Sequence, residues 1–123
     1  MATRQARGTV AYHAGLAAEL RIAADYERRG FAIAHQRWRG AGGEIDLIAR
    51  DADGIVFVEV KKSADFDRAA QRLTRRQIGR ILVSAEQFLA GEPQGQLTNT
   101  RFDVALVDSA GSFRIIENAF GQP

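Results

Sequence analysis

Two apolar segments, Gly43-Glu44-Ile45-Asp46-Leu47-Ile48 and Val56-Phe57-Val58-Glu59-Val60-Lys61, constrain this chain more than any other feature. The second reads as a buried strand, because Val56, Phe57, Val58 and Val60 leave almost no polar face. Yet it carries Glu59 and Lys61. Charged groups in such a strand are costly unless they are paired or bound to a metal. Side chains alternate along a strand, so Glu59 and Lys61 point the same way. Asp53-Gly54 is the turn chemistry of a tight hairpin joining the two segments. A two-residue loop at 53–54 sets Asp46 opposite Lys61, and one at 52–53 sets it opposite Glu59. Either register puts Asp46 on the same face as both.

Two carboxylates and a lysine then converge in the middle of a sheet. That is the chemistry of a divalent-metal site that activates water beside a phosphate. Asp46 and Glu59 supply oxygens to Mg2+ or Mn2+, with the main-chain carbonyl of Val60 as a further ligand. Lys61 holds the attacking water or steadies the charge growing on the phosphate. Hard ions of this kind share oxygens with substrate phosphates, so weak binding is expected without substrate. The competing reading is a hairpin with exposed edge charges and one structural salt bridge. It accounts for a single charge, but less well for two carboxylates and a lysine among apolar neighbours.

The rest of the chain frames that hairpin. Its 123 residues suit one domain, 1–123, with residues 1 to about 10 as a flexible basic arm. Hydrophobic residues at 46% and charged residues at 26% exclude a disordered composition. There is no cysteine, which excludes disulfides and thiolate metal sites and fits a cytoplasmic setting. No apolar run suggests a membrane span or a signal peptide, so no membrane partner is expected. A net charge of +2 says little about partners; the distribution of charge says more.

An alanine-rich helix is expected from roughly His13 to Arg29, ended by Gly30. Leu16, Leu20 and Ala23 form its apolar stripe, widened by Ile22 and Tyr26. Glu19 sits within that stripe and turns toward the sheet as a third acid; the alternative is a carboxylate that snorkels to solvent. A strand near Phe31–His35 precedes the basic stretch Arg37-Trp38-Arg39 and a loop at Gly40-Ala41-Gly42-Gly43. The stretch Lys62–Leu73 is polar and its pattern is hard to assign to an element. Thr74 with Gln77 is a capping-box signature for a helix burying Ile78, Ile81, Leu82, Ala85, Phe88 and Leu89. Strands at Phe102–Val107 and Phe113–Glu117 close the order α-β-β-β-α-β-β.

From Arg68 to Arg80 there are five arginines and no acid. Arg72, Arg76 and Arg80 are spaced by four and make one stripe if the helix reaches back that far. A solvated face is the ordinary outcome, but the lack of compensating acids favours a phosphate-binding surface. Arg37 and Arg39 add to it beside the glycine loop, with Trp38 either stacking on a base or half-buried. His13 and His35 have no metal-ligand spacing, and no cofactor-binding fingerprint is present.

Gly-Glu-Ile-Asp-Leu-Ile followed by Val-Phe-Val-Glu-Val-Lys resembles the YraN family of small bacterial proteins. Gly15 through Glu19 and Gly30, Arg101-Phe102-Asp103-Val104, and Asn118-Ala119-Phe120 extend the resemblance over nearly the whole chain. That family belongs to the PD-(D/E)XK nuclease superfamily and is similar in fold to archaeal Holliday-junction resolvases. The resemblance implies an α/β, restriction-endonuclease-like core, a central mixed sheet flanked by helices. It carries Asp46, Glu59 and Lys61 onto the superfamily's catalytic positions and Glu19 onto its helical acid. Where the family often has a lysine, this chain has Gln77, which can touch a phosphate or water but cannot neutralise charge. Resolvase relatives act as symmetric dimers, which makes a homodimer the assembly to look for. The expectation is a Mg2+- or Mn2+-dependent endonuclease acting on structured or branched DNA. The alternatives are a non-catalytic nucleic-acid-binding module and a protein-interaction subunit.

Overall fold

The alanine-rich N-terminal segment forms helix α1, Arg4–Arg28, followed by strand β1, Ala32–Gly40. The computed structural model describes residues 4–120, with side chains from residue 15 onward. The hairpin strands are β2, Gly43–Arg50, and β3, Ile55–Lys62. Helices α2, Phe66–Gln71, and α3, Arg75–Leu89, connect them to β4, Thr100–Val107, and β5, Phe113–Ile116. The five strands lie in sequential order in one mixed sheet, with β3 and β4 parallel and the other neighbours antiparallel. The expected α/β order therefore holds, with α2 added in the stretch that the sequence pattern does not assign.

The sheet is covered on both faces, which is why β3 reads as a near-continuous apolar run. On one face Ala18, Ile22, Ala23 and Tyr26 of α1 pack on Leu47, Ala49, Val56, Val58, Ala105 and Val107. On the other, Ile81, Ala85 and Leu89 of α3 pack on Ile45, Ile48, Ile55, Phe57 and Phe102. Ala69 of α2 closes over Val104 and Leu106. Each large aliphatic side chain buried this way stabilises the fold by roughly 1.5–3 kcal/mol.

Two helix positions differ from expectation. Leu20 is 49% exposed, because α1 sets the Ala18, Ile22 and Tyr26 row on the sheet and turns Leu20 away. Leu82 is 41% exposed, because Ile81, Ala85 and Leu89 occupy the sheet-facing row of α3. Helix α1 also begins at Arg4 rather than near His13, and residues 1–3 lie outside the described residues. The stripe of three arginines does not form: Arg72 caps the end of α2, while Arg76 and Arg80 belong to α3.

The β2–β3 turn settles the register. The Asp51 N–H donates to the Gly54 carbonyl at 3.1 Å, and Asp51 Oδ1 accepts from the N–H groups of Asp53 and Gly54. The loop is therefore residues 52–53, with Leu47 paired to Val58 and Arg50 to Ile55. At the other end of β2 the glycine loop contracts to a turn, because Arg37-Trp38-Arg39 continues β1. That turn is pressed onto α3. A Cβ on Gly42 would collide with the Arg80 carbonyl oxygen. Ser84 Oγ donates to the Gly43 carbonyl at 2.8 Å, and the Ala41 N–H donates to Gln87 Oε1 at 2.7 Å.

The Arg101-Phe102-Asp103 and Asn118-Ala119-Phe120 motifs are joined by buried Asp103. It accepts from the Tyr26 hydroxyl at 2.6 Å, from the Arg101 guanidinium, and from the Asn118 N–H at 3.0 Å. Four donors satisfy a carboxylate that would otherwise be costly to bury. Among the described residues, no helix is long and apolar enough to cross a membrane.

Candidate functional site

The sheet forks beside the hairpin motif. Pairing of β2 with β3 ends at Leu47 and Val58, whereas β3 stays beside β4 through Lys62 and β2 stays beside β1 through Gly43. Asp46 sits at the opening. Its Oδ2 accepts a hydrogen bond from the Val60 N–H at 2.7 Å, replacing the lost ladder bond. The alternation of β2 slips at this level. Ile45 and Ile48 both join the α3-side core, although three residues apart they would face opposite ways in a regular strand.

Glu59 follows on β3 and is only 6% exposed. Its Oε1 accepts from Lys61 Nζ at 3.1 Å and from Gln77 Nε2 at 3.1 Å. The Lys61 contact follows from strand alternation. The Gln77 contact follows from the helix cap: Thr74 Oγ1 accepts from the Gln77 N–H at 3.2 Å, so the cap forms, while the Gln77 side chain turns to Glu59 instead of reaching back to the cap. Gln77 is thus a site residue by contact, which the capping-box signal alone did not reveal.

Glu19 reaches the fork from the α1 side. Its Oε2 accepts from Arg37 Nε at 2.7 Å, and it lies close enough to Asp46 to feel its charge. The structure therefore brings together Asp46, Glu59, Lys61 and Glu19, with Arg37 and Gln77 as direct partners. A cleft of about 390 Å3 opens over this group, lined by Glu44, Asp46, Glu59, Lys61, Gln77 and Arg80 among others. Arg80 stands on its rim. Arg39 is 78% exposed and pairs with Glu44 at 3.7 Å. Arg72 and Arg76 are exposed at the α2–α3 corner. Trp38 is half-buried edge-on against Phe88, as is usual for core packing.

The carboxyl groups are electrostatically frustrated. Burial, and next the facing charge of Glu59, push Asp46 up to about 7, against the Val60 N–H and Lys61 that favour its anion. Burial also raises Glu59, opposed mainly by Lys61. Glu19 is raised by burial and held back by Arg37. Glu59 Oε2 is buried and receives no donor among the described residues. The neighbouring Asp46 carboxyl can hydrogen-bond to Glu59 only when one of the two carries a proton. A cation is the other way to relieve two facing carboxylates.

These residues fit a hard divalent ion held by few protein ligands. Asp46, Glu59 and the Val60 carbonyl offer oxygen alone, which suits Mg2+ or Mn2+ rather than a softer metal. Among the described residues, no three His, Cys, Asp or Glu side chains form a closed ligand set.

Comparison with known proteins gives one consistent result. Residues 18–107 match the model of the uncharacterised protein family UPF0102. The chain is 59% identical to the UPF0102 protein SPO0400 of Ruegeria pomeroyi, over 94% of this chain and 94% of that protein. It is 58% identical to the UPF0102 protein RSKD131_0118 of Cereibacter sphaeroides, over 92% of this chain and 97% of that protein. A UPF0102 protein of Dinoroseobacter shibae is 47% identical over 94% of this chain and 86% of its own length.

Proposed function

We propose, for a chain that belongs to the uncharacterised protein family UPF0102, the YraN family, that it is a metal-dependent nuclease acting on structured or branched DNA. The observation that carries this reading is the fork itself. A half-buried carboxyl, Asp46, and a buried one, Glu59, face each other there, one Glu59 oxygen lacks a donor among the described residues, and a lysine lies 3.1 Å from the same carboxylate. A purely structural ion pair needs one acid for one lysine. Here the second acid raises the cost, and such cost is typically retained where chemistry requires it.

Asp46, Glu59 and the Val60 carbonyl would hold the ion. When bound, Mg2+ or Mn2+ supplies Lewis-acid polarisation of a phosphoryl oxygen and acidifies water at neutral pH. The Val60 N–H fixes the Asp46 carboxylate in the opening. Gln77 and Lys61 fix Glu59 through one oxygen and leave the other without a donor among the described residues. Lys61 positions the attacking water or offsets charge growing on the phosphate. Arg80 on the rim, with exposed Arg72 and Arg76 nearby in sequence and exposed Arg39 near the end of β1, supplies cations for the sugar-phosphate backbone.

The test is cleavage of a panel of duplex, flap, single-stranded and four-way substrates with Mg2+ or Mn2+. Metal-dependent cutting of a structured substrate, lost in Asp46→Asn, is the expected result. Salt-sensitive DNA binding with no cutting under any metal would replace the enzyme with a nucleic-acid-binding module. Failure to bind DNA while an acidic protein binds would favour an interaction subunit.

A further inference from the structure

We infer that Arg37 is a positioning residue that holds Glu19 beside Asp46, rather than one of the arginines that grip substrate phosphates. The inference rests on the nuclease reading above and assigns a role within that site.

Its basis is a backbone irregularity with a purpose. Arg37 has φ +52°, the left-handed region, in the middle of β1. The left-handed region is unfavourable for a residue with a side chain, and the conformation survives where surrounding contacts over-determine it. In a regular strand Arg37 and His35 would share one face. Instead His35 and Trp38 both meet Phe88 on the α3 side, at ring separations of 5.6 Å and 5.4 Å. Arg37 is thereby sent toward α1, where it donates to Glu19 at 2.7 Å.

The residue facing Arg37 across the ladder is Asp46, since Gln36 pairs with Leu47 and Trp38 with Ile45. Asp46 marks the slip in β2 as well. The two strands therefore lose alternation at one level, and both irregular residues meet the same helical acid. Gly15, one turn before Glu19, lies along the guanidinium; a Cβ there would stand 4.0 Å from Arg37 Nη2. A short charge-assisted hydrogen bond fixes one rotamer of an otherwise flexible glutamate. The exposed Arg72 and Arg76 have no ion pair among the described residues, and they are better placed to meet phosphate.

A double-mutant cycle tests this. Arg37→Asn keeps a residue that tolerates the left-handed region and removes the guanidinium. It is combined with Glu19→Gln, and the full chain is measured in three ways: kcat at saturating DNA, calorimetric affinity for Mn2+ alone, and the salt dependence of DNA binding. Each single variant should lower kcat and Mn2+ affinity by a similar factor, on the order of 10–100-fold. The double variant should be no worse than either, and the salt slope should not change. Arg37→Lys should restore part of the loss, and this charged variant serves in the same cycle if the asparagine variant does not fold. Losses that multiply in the double variant would overturn the inference. So would a salt slope reduced by about one unit in Arg37→Asn, which marks a lost phosphate contact. A wild type that neither binds Mn2+ nor cuts would sink the nuclease reading instead; the salt slope would still decide whether Arg37 grips phosphate.

Discussion

The Val60 N–H donates to Asp46 Oδ2 at 2.7 Å at the level where β2 and β3 cease to pair. One side chain therefore ends a ladder and begins a site. The relationship predicts different outcomes for two truncations. Asp46→Asn keeps an acceptor for that N–H, whereas Asp46→Ala leaves it unpaired in a half-buried position. The alanine variant should be less stable than the asparagine variant by about 1–2 kcal/mol in urea unfolding. Equal stabilities would mean that water replaces the bond without cost.

The same carboxyl gives stability a pH dependence. Burial and Glu59 push Asp46 up to about 7 from an ordinary value of 3.8, so the folded chain binds this proton more tightly than the unfolded chain. Its stabilising contribution is full below about pH 4 and is lost as pH rises through about 7. Asp46→Asn has no such titration. At pH 8 it should be more stable than wild type, by on the order of 2 kcal/mol, with the advantage shrinking toward pH 4. Unfolding curves that stay parallel across this range would contradict the frustrated site.

Metal binding should reverse that loss. Protons and a divalent ion compete for the Asp46–Glu59 pair, so Mn2+ should raise the melting temperature more at pH 8 than at pH 6. Affinity without DNA should be weak and should rise when DNA is present, because substrate phosphates complete the shell. Thermal melts and Mn2+ relaxation check both expectations. The same Mn2+ response in Asp46→Asn/Glu59→Gln as in wild type would place the ion elsewhere.

Local patterns make much of this legible in the sequence alone. Strand alternation placed Lys61 with Glu59, and the Thr74 cap marked where α3 starts. The two possible turns left Asp46 opposite either Glu59 or Lys61; the Asp51–Gly54 closure chose Glu59. What local patterns could not show depends on distant contacts. The fork exists because β3 keeps β4 while β2 keeps β1, a matter of sheet topology. Arg37 was legible only as a cation, since nothing in its neighbours signals a left-handed strand residue. Leu20 and Leu82 failed because an apolar stripe wider than the contact leaves a choice of row, which packing makes. Helix α2 buries one residue fully, Ala69, and so carries almost no periodic signal.

Charge reversal separates grip from chemistry. Arg72 and Arg76 are exposed on adjoining elements within a run of five arginines that lacks an acid. Arg72→Glu with Arg76→Glu should weaken DNA binding and flatten its salt dependence. Each lost phosphate contact removes roughly 0.9 from the slope of log affinity against log salt. Fluorescence anisotropy at several salt concentrations reads the slope. An unchanged slope would make this corner a solvated surface.

Lys61 should behave in the opposite way. Its ammonium is 3.1 Å from Glu59 Oε1 and lines the cleft, so under the proposed nuclease reading it would face the reacting phosphate rather than the flanking backbone. Lys61→Ala should abolish cleavage and leave DNA affinity nearly intact, because a group that acts on the attacking water or on transition-state charge contributes little to ground-state binding. The variant also removes the cation that offsets buried Glu59, so that carboxyl should take up a proton more readily and Mn2+ binding should shift to higher pH. Single-turnover cleavage with anisotropy on the same substrate separates the two effects. Loss of binding together with cleavage would recast Lys61 as a phosphate anchor. Retained cleavage would remove it from the chemistry, leaving the Asp46–Glu59 pair to act without it.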